Sequence, residues 1–174
     1  MRAKGTVILP DGTTCSGKTT YSRRLQKERG AVLFVIDEIF QRVGPTTAPP
    51  TGEEPASGPE MMAAAISKIL EFVRETAVQI ANAGVDVILE SGYFNKAERD
   101  EMRAYFTERG VPCEWHYLDV SDETWRRNIA ARNAAHAAGE VGTFYIGEAE
   151  IAMFVEYYQP PERGEVDVWI DNNR

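Results

Sequence analysis

Gly12-Thr13-Thr14-Cys15-Ser16-Gly17-Lys18-Thr19 match the pattern Gly-x-x-x-x-Gly-Lys-[Ser/Thr] without a departure. The chemistry such a run supports is phosphate binding. Its glycines let backbone N–H groups turn inward around an anion. Lys18 is placed to reach β- and γ-phosphates, and the Thr19 hydroxyl can sit on Mg²⁺. The run from Gly12 to Thr20 is therefore the candidate nucleotide site. Cys15 lies inside it; it reads either as a small tolerated loop residue or as a thiol near a helix N-terminus with a redox role.

Phosphate binding alone does not name a reaction, and three further residues bear on that. Asp37 follows the apolar run 31–36. Beyond the carboxyl end of a strand it would face the crevice that holds the phosphates, where a carboxylate can take the proton of an attacking hydroxyl. The competing reading is an N-cap for a helix from Glu38 to Val43. Glu90 ends the run 85–90, an arrangement like a Walker B strand, whose carboxylate orients the Mg²⁺ shell or a substrate group; packing is the bland alternative. Arg132 falls on one helical face with Trp125, Ile129 and His136. An inward arginine needs an anionic partner, either a transferring phosphate or an acidic side chain. His136 reads as a packed or surface histidine. Arg42 and Tyr93 are candidates for contact with the second substrate: the acceptor pocket should form from residues 42–58, the start of the following helix, and Tyr93-Phe94.

These residues need elements to hold them. Five apolar runs read as strands, at 6–10, 31–36, 85–90, 113–119 and 166–170. They are continuous in hydrophobicity, as in a parallel sheet covered on both faces, and helical segments alternate with them, which gives an α/β fold. The longest helix should span 59–83, with Met62, Ile66, Ile69, Val73, Ala77 and Ile80 on one face and Gly84 as its stop. Asn95 with Glu98 reads as a capping box, and Ser121 opens another helix to about 138. A last helix from 147 to 157 should bury Ile151, Phe154, Val155 and Tyr158. The Pro/Thr/Gly-rich stretch 44–58 and the glycine-bearing stretch 137–143 read as mobile.

Composition bounds the rest. A chain of 174 residues suggests one domain, 1–174, long enough for a substantial core. A net charge of −8 disfavours nucleic acid and anionic membranes as broad electrostatic partners. No run approaches a membrane span, and Met1-Arg2-Ala3-Lys4 leads straight into the first strand, so neither an anchor nor a signal peptide is expected. Cys15 and Cys113 should be reduced thiols in a cytoplasmic protein. Two histidines and two scattered cysteines do not make a zinc site.

Taken together, Gly12 to Thr20, Val35-Ile36-Asp37-Glu38-Ile39, Val87 to Tyr93, Tyr117 to Val120, Trp125-Arg126-Arg127, Ala131-Arg132-Asn133 and Gln159-Pro160-Pro161 resemble the small P-loop kinases of the AAA_33 and zeta-toxin-like group. That group includes chloramphenicol phosphotransferase and the polynucleotide-kinase-like phosphotransferases. The resemblance implies a three-layer P-loop NTPase fold, a five-stranded sheet of order 2-3-1-4-5, and a small helical lid over the nucleotide at about 126–146. It puts Asp37 where such kinases place the base and Arg132 where they place a lid arginine. Glu90 departs from the Asp that often ends the third strand in this group. The expected activity is ATP- and Mg²⁺-dependent phosphorylation of a hydroxyl on a small molecule. Two alternatives stand beside it: a kinase for a hydroxyl on nucleic acid, with Arg23, Arg24, Lys27 and Arg29 as a basic groove, and a nucleotide-binding switch with slow hydrolysis.

Overall fold

The computed structural model describes residues 3–43, 59–140 and 145–173. The stretch 44–58 and part of 137–143, both read above as mobile, lie outside those residues, as does the side chain of Met62.

Five parallel strands form one sheet: β1 (Val7–Asp11), β2 (Val32–Val35), β3 (Val87–Glu90), β4 (Cys113–Asp119) and β5 (Val168–Asp171), in the order β2-β3-β1-β4-β5. The expected order and α/β class are thus found. Among the described residues six α-helices connect and flank the strands: α1 (Lys18–Arg29), α2 (Ile36–Val43), α3 (Pro59–Asn82), α4 (Lys96–Glu108), α5 (Asp122–Ala137) and α6 (Glu148–Tyr157).

Alternation along the central strands sorts side chains between two faces. Val7, Leu9, Val87, Leu89 and Trp115 share one cluster with Val73 and Ala77 of α3 and Met102 and Phe106 of α4. Ile8 and Ile88 point the other way, onto Leu25 of α1. Burying each such aliphatic side chain is worth about 1.5–3 kcal/mol, so two covered faces explain why these strands read as unbroken apolar runs. A third cluster, Trp125, Ile129 and Ile146, lies under α5 and α6 and takes in Cys15 of the phosphate loop.

The sheet opens where the site lies. Pairing between β1 and β3 ends at Ile8↔Ile88, whereas β1 runs on beside β4 to Asp11↔Tyr117. Pro10 falls past that point, so its missing N–H breaks no bond of the β1–β3 ladder. The gap between the carboxyl ends of β1 and β3 is the crevice at which the strand order reverses.

Several boundaries follow local chemistry. Asn95 caps α4 by accepting from the Glu98 N–H, and Ser121 caps α5 by accepting from the Thr124 N–H. The Glu98 carboxylate accepts from the Phe94 N–H, one residue before the position a capping box would use. One expectation fails. Val155 is 67% exposed, while Ile151, Phe154 and Tyr158 are half-buried. The end of α6 lies on the protein by a narrow strip, and the i+4 edge of the predicted face turns to solvent.

His116, on β4, is buried between the Tyr21 hydroxyl (2.6 Å) and the Glu114 carboxylate (3.2 Å). Burial lowers its pKa below the usual value near 6.5, and Glu114 opposes that only in part. Between the lowered folded value and 6.5 the unfolded chain binds more protons, so stability falls as pH drops through that window and then levels off. His116→Gln should flatten this slope in urea midpoints measured from pH 7.5 to 5.

Candidate functional site

The loop 12–17 keeps its shape through conformations that few residues adopt. Gly12 and Gly17 have φ of 149° and 91°. A Cβ on Gly12 would lie 2.6 Å from the Ser16 hydroxyl and 3.0 Å from the Leu118 carbonyl oxygen, so only glycine fits. Cys15 also has a positive φ, 57°, although it carries a side chain. Three side chains distant in sequence, two on α5 and one just after β5, brace the loop. Trp125 Nε1 donates to the Thr14 carbonyl (2.8 Å), Asn128 Nδ2 to the Cys15 carbonyl (2.9 Å), and Asn172 Nδ2 to the Ser16 carbonyl (2.8 Å).

With its carbonyls held outward in this way, the loop leads into α1, whose N-cap Gly17 supplies no side-chain hydrogen bond. The caps of α4 and α5 do supply one. A helix start without a cap leaves N–H donors and the positive end of the dipole for an anion. Ser16 Oγ is buried without a hydrogen-bond partner in the same loop.

Lys18 Nζ donates to the Gly12 and Thr13 carbonyls at 2.6 and 2.8 Å. Burial lowers its pKa, opposed by the nearby carboxylates of Glu90, Asp11 and Asp37 and by Cys15. Thr19 Oγ1 donates to Glu90 Oε1 at 2.6 Å, while Glu90 Oε2 is buried without a partner. A hydroxyl and a carboxylate with an unused oxygen form the hard-oxygen donor set that suits Mg²⁺ beside phosphate. The loop, the uncapped helix and this pair therefore fit a nucleotide polyphosphate with its metal.

A cleft of about 300 Å³ opens beside the loop. Lys18, Asp37 and Glu90 all line it, as do Thr13 and Thr14, so the structure brings together the expected lysine and both acids. Asp37 is exposed and lies inside the first turn of α2, which begins at Ile36; the competing N-cap reading does not describe it. Arg132 Nη1 lies 3.7 Å from Cys15 Sγ of the phosphate loop and is not among the residues lining the cleft. Thr20 and His136 are exposed. Arg42 is exposed in the last turn of α2 and does not line the cleft, in contrast to its expected role. Tyr93 lines the cleft but is also core: it is buried and packs edge-on against Trp115, 4.7 Å between centroids.

Sequence reasoning missed one cluster. Asp11, at the end of β1, is buried beneath the loop and accepts from the Gly12 N–H at 2.7 Å. Burial raises its pKa, against the opposing effects of that N–H, Arg99 and Lys18. Arg99 is equally buried; it lies 3.8 Å from Asp11, bonds Glu165 at 3.0 Å and donates to the Gln159 carbonyl at 2.8 Å. Removing a partner from so deep a pair typically costs about 3–5 kcal/mol, so the cluster fixes the start of the loop and the segment after α6 to one another. Phe154, near the end of α6, and Tyr158, just after it, also line the cleft. The only sequence signal for them was a predicted buried face.

The fold and this loop define a P-loop nucleotide-binding protein. The chain belongs to the AAA_33 family (AAA domain), which it matches over residues 7–161. Among solved structures, APS kinase of Mycobacterium tuberculosis, in complex with AMPPNP and APS, is similar with a TM-score of 0.63 at 18% identity, covering 99% of this chain and 91% of that one. A gluconokinase from Sinorhizobium meliloti gives 0.61 at 16% identity, covering 100% and 86%. Shikimate kinase from Aquifex aeolicus gives 0.54 at 16%, covering 97% and 87%. At these identities the likeness speaks to the fold, which is that of small P-loop kinases. No curated protein sequence matches the chain.

Proposed function

We propose that this protein is an ATP-dependent kinase that transfers the γ-phosphate to a hydroxyl group of a small molecule. The observation that carries this reading is the shared cleft: Asp37 and Glu90 face the same space as Lys18, beyond the carboxyl ends of β2 and β3. In the proposed reaction the loop amides and Lys18 hold the β- and γ-phosphates. Thr19 and Glu90 would hold Mg²⁺, which would neutralise phosphate charge when bound. Asp37 takes the proton of the acceptor hydroxyl as its oxygen bonds to phosphorus and the bond to ADP breaks. Arg132, in contact with Cys15 of the loop, offsets charge on the transferring group.

The pairing of surface charges weighs against nucleic acid as acceptor. Arg23 is bonded to Glu38, Arg24 lies 3.6 Å from Glu28, and Arg29 lies within ion-pair distance of Asp86 and Glu114. Three of the four residues considered for a basic groove are thus matched by acids on the surface.

A panel of hydroxyl compounds incubated with γ-labelled ATP, including hydroxyl-bearing DNA, tests the reading. Label should appear on a small alcohol and not on DNA. ATP turnover with label only in inorganic phosphate would favour a switch and overturn the proposal.

A further inference from the structure

Two groups stop just short of the carboxylate that begins the phosphate loop. Asp11 Oδ1 accepts the Gly12 N–H at 2.7 Å, but Oδ2 is buried without a hydrogen-bond partner. Arg99 Nη1 stands 3.8 Å from Oδ2, and the Tyr158 hydroxyl stands 3.5 Å from Oδ1. Hydrogen bonds from a guanidinium to a carboxylate form at about 2.7–2.9 Å, so both donors lie within about 1 Å of bonding distance. A buried carboxylate with an open oxygen gains by closing such a gap.

Arg99 also holds part of the cleft. The same Nη1 donates to the Gln159 carbonyl at 2.8 Å, while Nε and Nη2 donate to Glu165 Oε2 at 3.3 and 3.0 Å. The Gln159 N–H in turn donates to the Phe94 carbonyl at 2.7 Å. Phe94 and Tyr158 line the cleft, whereas Arg99, Gln159 and Glu165 do not. One guanidinium thus stands between the start of the loop and the backbone that carries two cleft residues.

The cations that offset the charge of Asp11 are Arg99 and Lys18. In this structure the Lys18 ammonium bonds two neutral carbonyls, those of Gly12 and Thr13. With a phosphate chain in the loop, Lys18 pairs with phosphate and its share in offsetting Asp11 falls. Arg99 is the cation left to make up the difference, and Oδ2 is the open acceptor that faces it.

Resting on the kinase reading above, we propose that Arg99 is a positioning residue: its guanidinium closes on Asp11 Oδ2 once the loop holds nucleotide, and Gln159, Phe94 and Tyr158 follow it. The acceptor side of the cleft takes its working shape only after the donor side is filled. The acceptor therefore binds more tightly to the loaded protein than to the empty one, and tightens the nucleotide in return. Arginine suits this task because its planar fork engages Asp11, Gln159 and Glu165 at once, whereas a lysine offers a point charge on a flexible stem.

Hydrogen exchange followed by mass spectrometry tests this on the full chain, with AMPPNP and Mg²⁺ as the probe. The readout is the segment 159–167, which does not line the cleft. Its amides at Gln159, Glu165 and Asp167 donate to the carbonyls of Phe94, Glu162 and Trp115. At saturating AMPPNP this segment should exchange more slowly by about fivefold or more, the lower end of ordinary coupling between sites. Arg99→Lys keeps the charge and removes the fork. Asp11→Asn keeps an acceptor for the Gly12 N–H and removes the charge. In each, at AMPPNP saturating for that variant, slowing at 12–20 should persist while slowing at 159–167 falls to about twofold or less. A merely structural role would speed exchange with and without nucleotide alike and leave the nucleotide-dependent difference unchanged. Exchange at 159–167 that ignores AMPPNP in the wild type overturns the proposal, and that comparison needs no variant to fold. Wild-type slowing at 159–167 in either variant overturns it as well. Because AMPPNP is not turned over, the outcome is separate from the kinase reading. Slowing at 159–167 in a protein that phosphorylates no alcohol would keep this coupling and remove the kinase, whereas phosphorylation of an alcohol without that slowing would do the reverse.

Discussion

Lys18→Met should leave a folded protein that transfers no phosphate. The substituted side chain keeps the length and apolar stem of lysine, so the packing around α1 persists. What is lost is the ammonium, which in the structure lies between the loop carbonyls of Gly12 and Thr13 and near the carboxylates of Glu90, Asp11 and Asp37. In the proposed reaction that charge follows the β- and γ-phosphates. Loss of one such preorganised donor commonly costs about 10²–10³ in rate, and a full cation should cost at least that. The measurement is kcat/KM for transfer beside ATP affinity by calorimetry, with circular dichroism to show that the fold is retained. Activity near wild type would remove the loop from the mechanism.

Asp37→Asn separates chemistry from binding. The carboxylate is exposed in the first turn of α2, lines the acceptor side of the cleft, and takes no part in bracing the phosphate loop. Asparagine keeps its shape and hydrogen-bonding reach but cannot take a proton. ATP affinity should therefore stay close to wild type while kcat falls by about 10²–10⁴, the range for removal of a general base. A variant with unchanged kcat would dismiss Asp37 as the base and leave Glu90 as the carboxylate next to consider. A variant that loses ATP binding as well would mean that Asp37 acts through the nucleotide site.

The features legible in the sequence were those encoded locally. The run 113–119 coincides with β4 because a buried parallel strand bounded by Gly110-Val111-Pro112 and Ser121 announces both its ends. The phosphate loop was legible because its glycines and lysine are fixed by a backbone shape contained within eight residues. Asp37 and Glu90 could be placed because both sit at strand ends, which a parallel sheet brings to one edge. Arg99 could not. It lies on a helix otherwise patterned by Met102 and Phe106, and its burial is set by Asp11, Gln159 and Glu165, all far away in sequence. Asp11 was hidden for the same reason, one residue past the apolar run that suggested its strand. Arg42 was named only as the start of the expected 42–58 acceptor loop; it lies exposed in the last turn of α2, and the rest of that loop falls outside the described residues.

The bracing of the phosphate loop by Asn172 bears on when the site comes into being. Asn172 reaches the Ser16 carbonyl across a separation of 156 residues, and the Ser121 N–H that opens α5 is held by Asn173. The motif is thus completed by residues made 156 positions later. A chain released in order from its N-terminus carries Gly12 to Thr19 in the open until β5 docks beside β4. Contacts of such long range close slowly, because the entropy of the intervening loop must be lost before they reward it. Competence to hold a phosphate chain is on this view gained when β5 docks rather than when the motif is made.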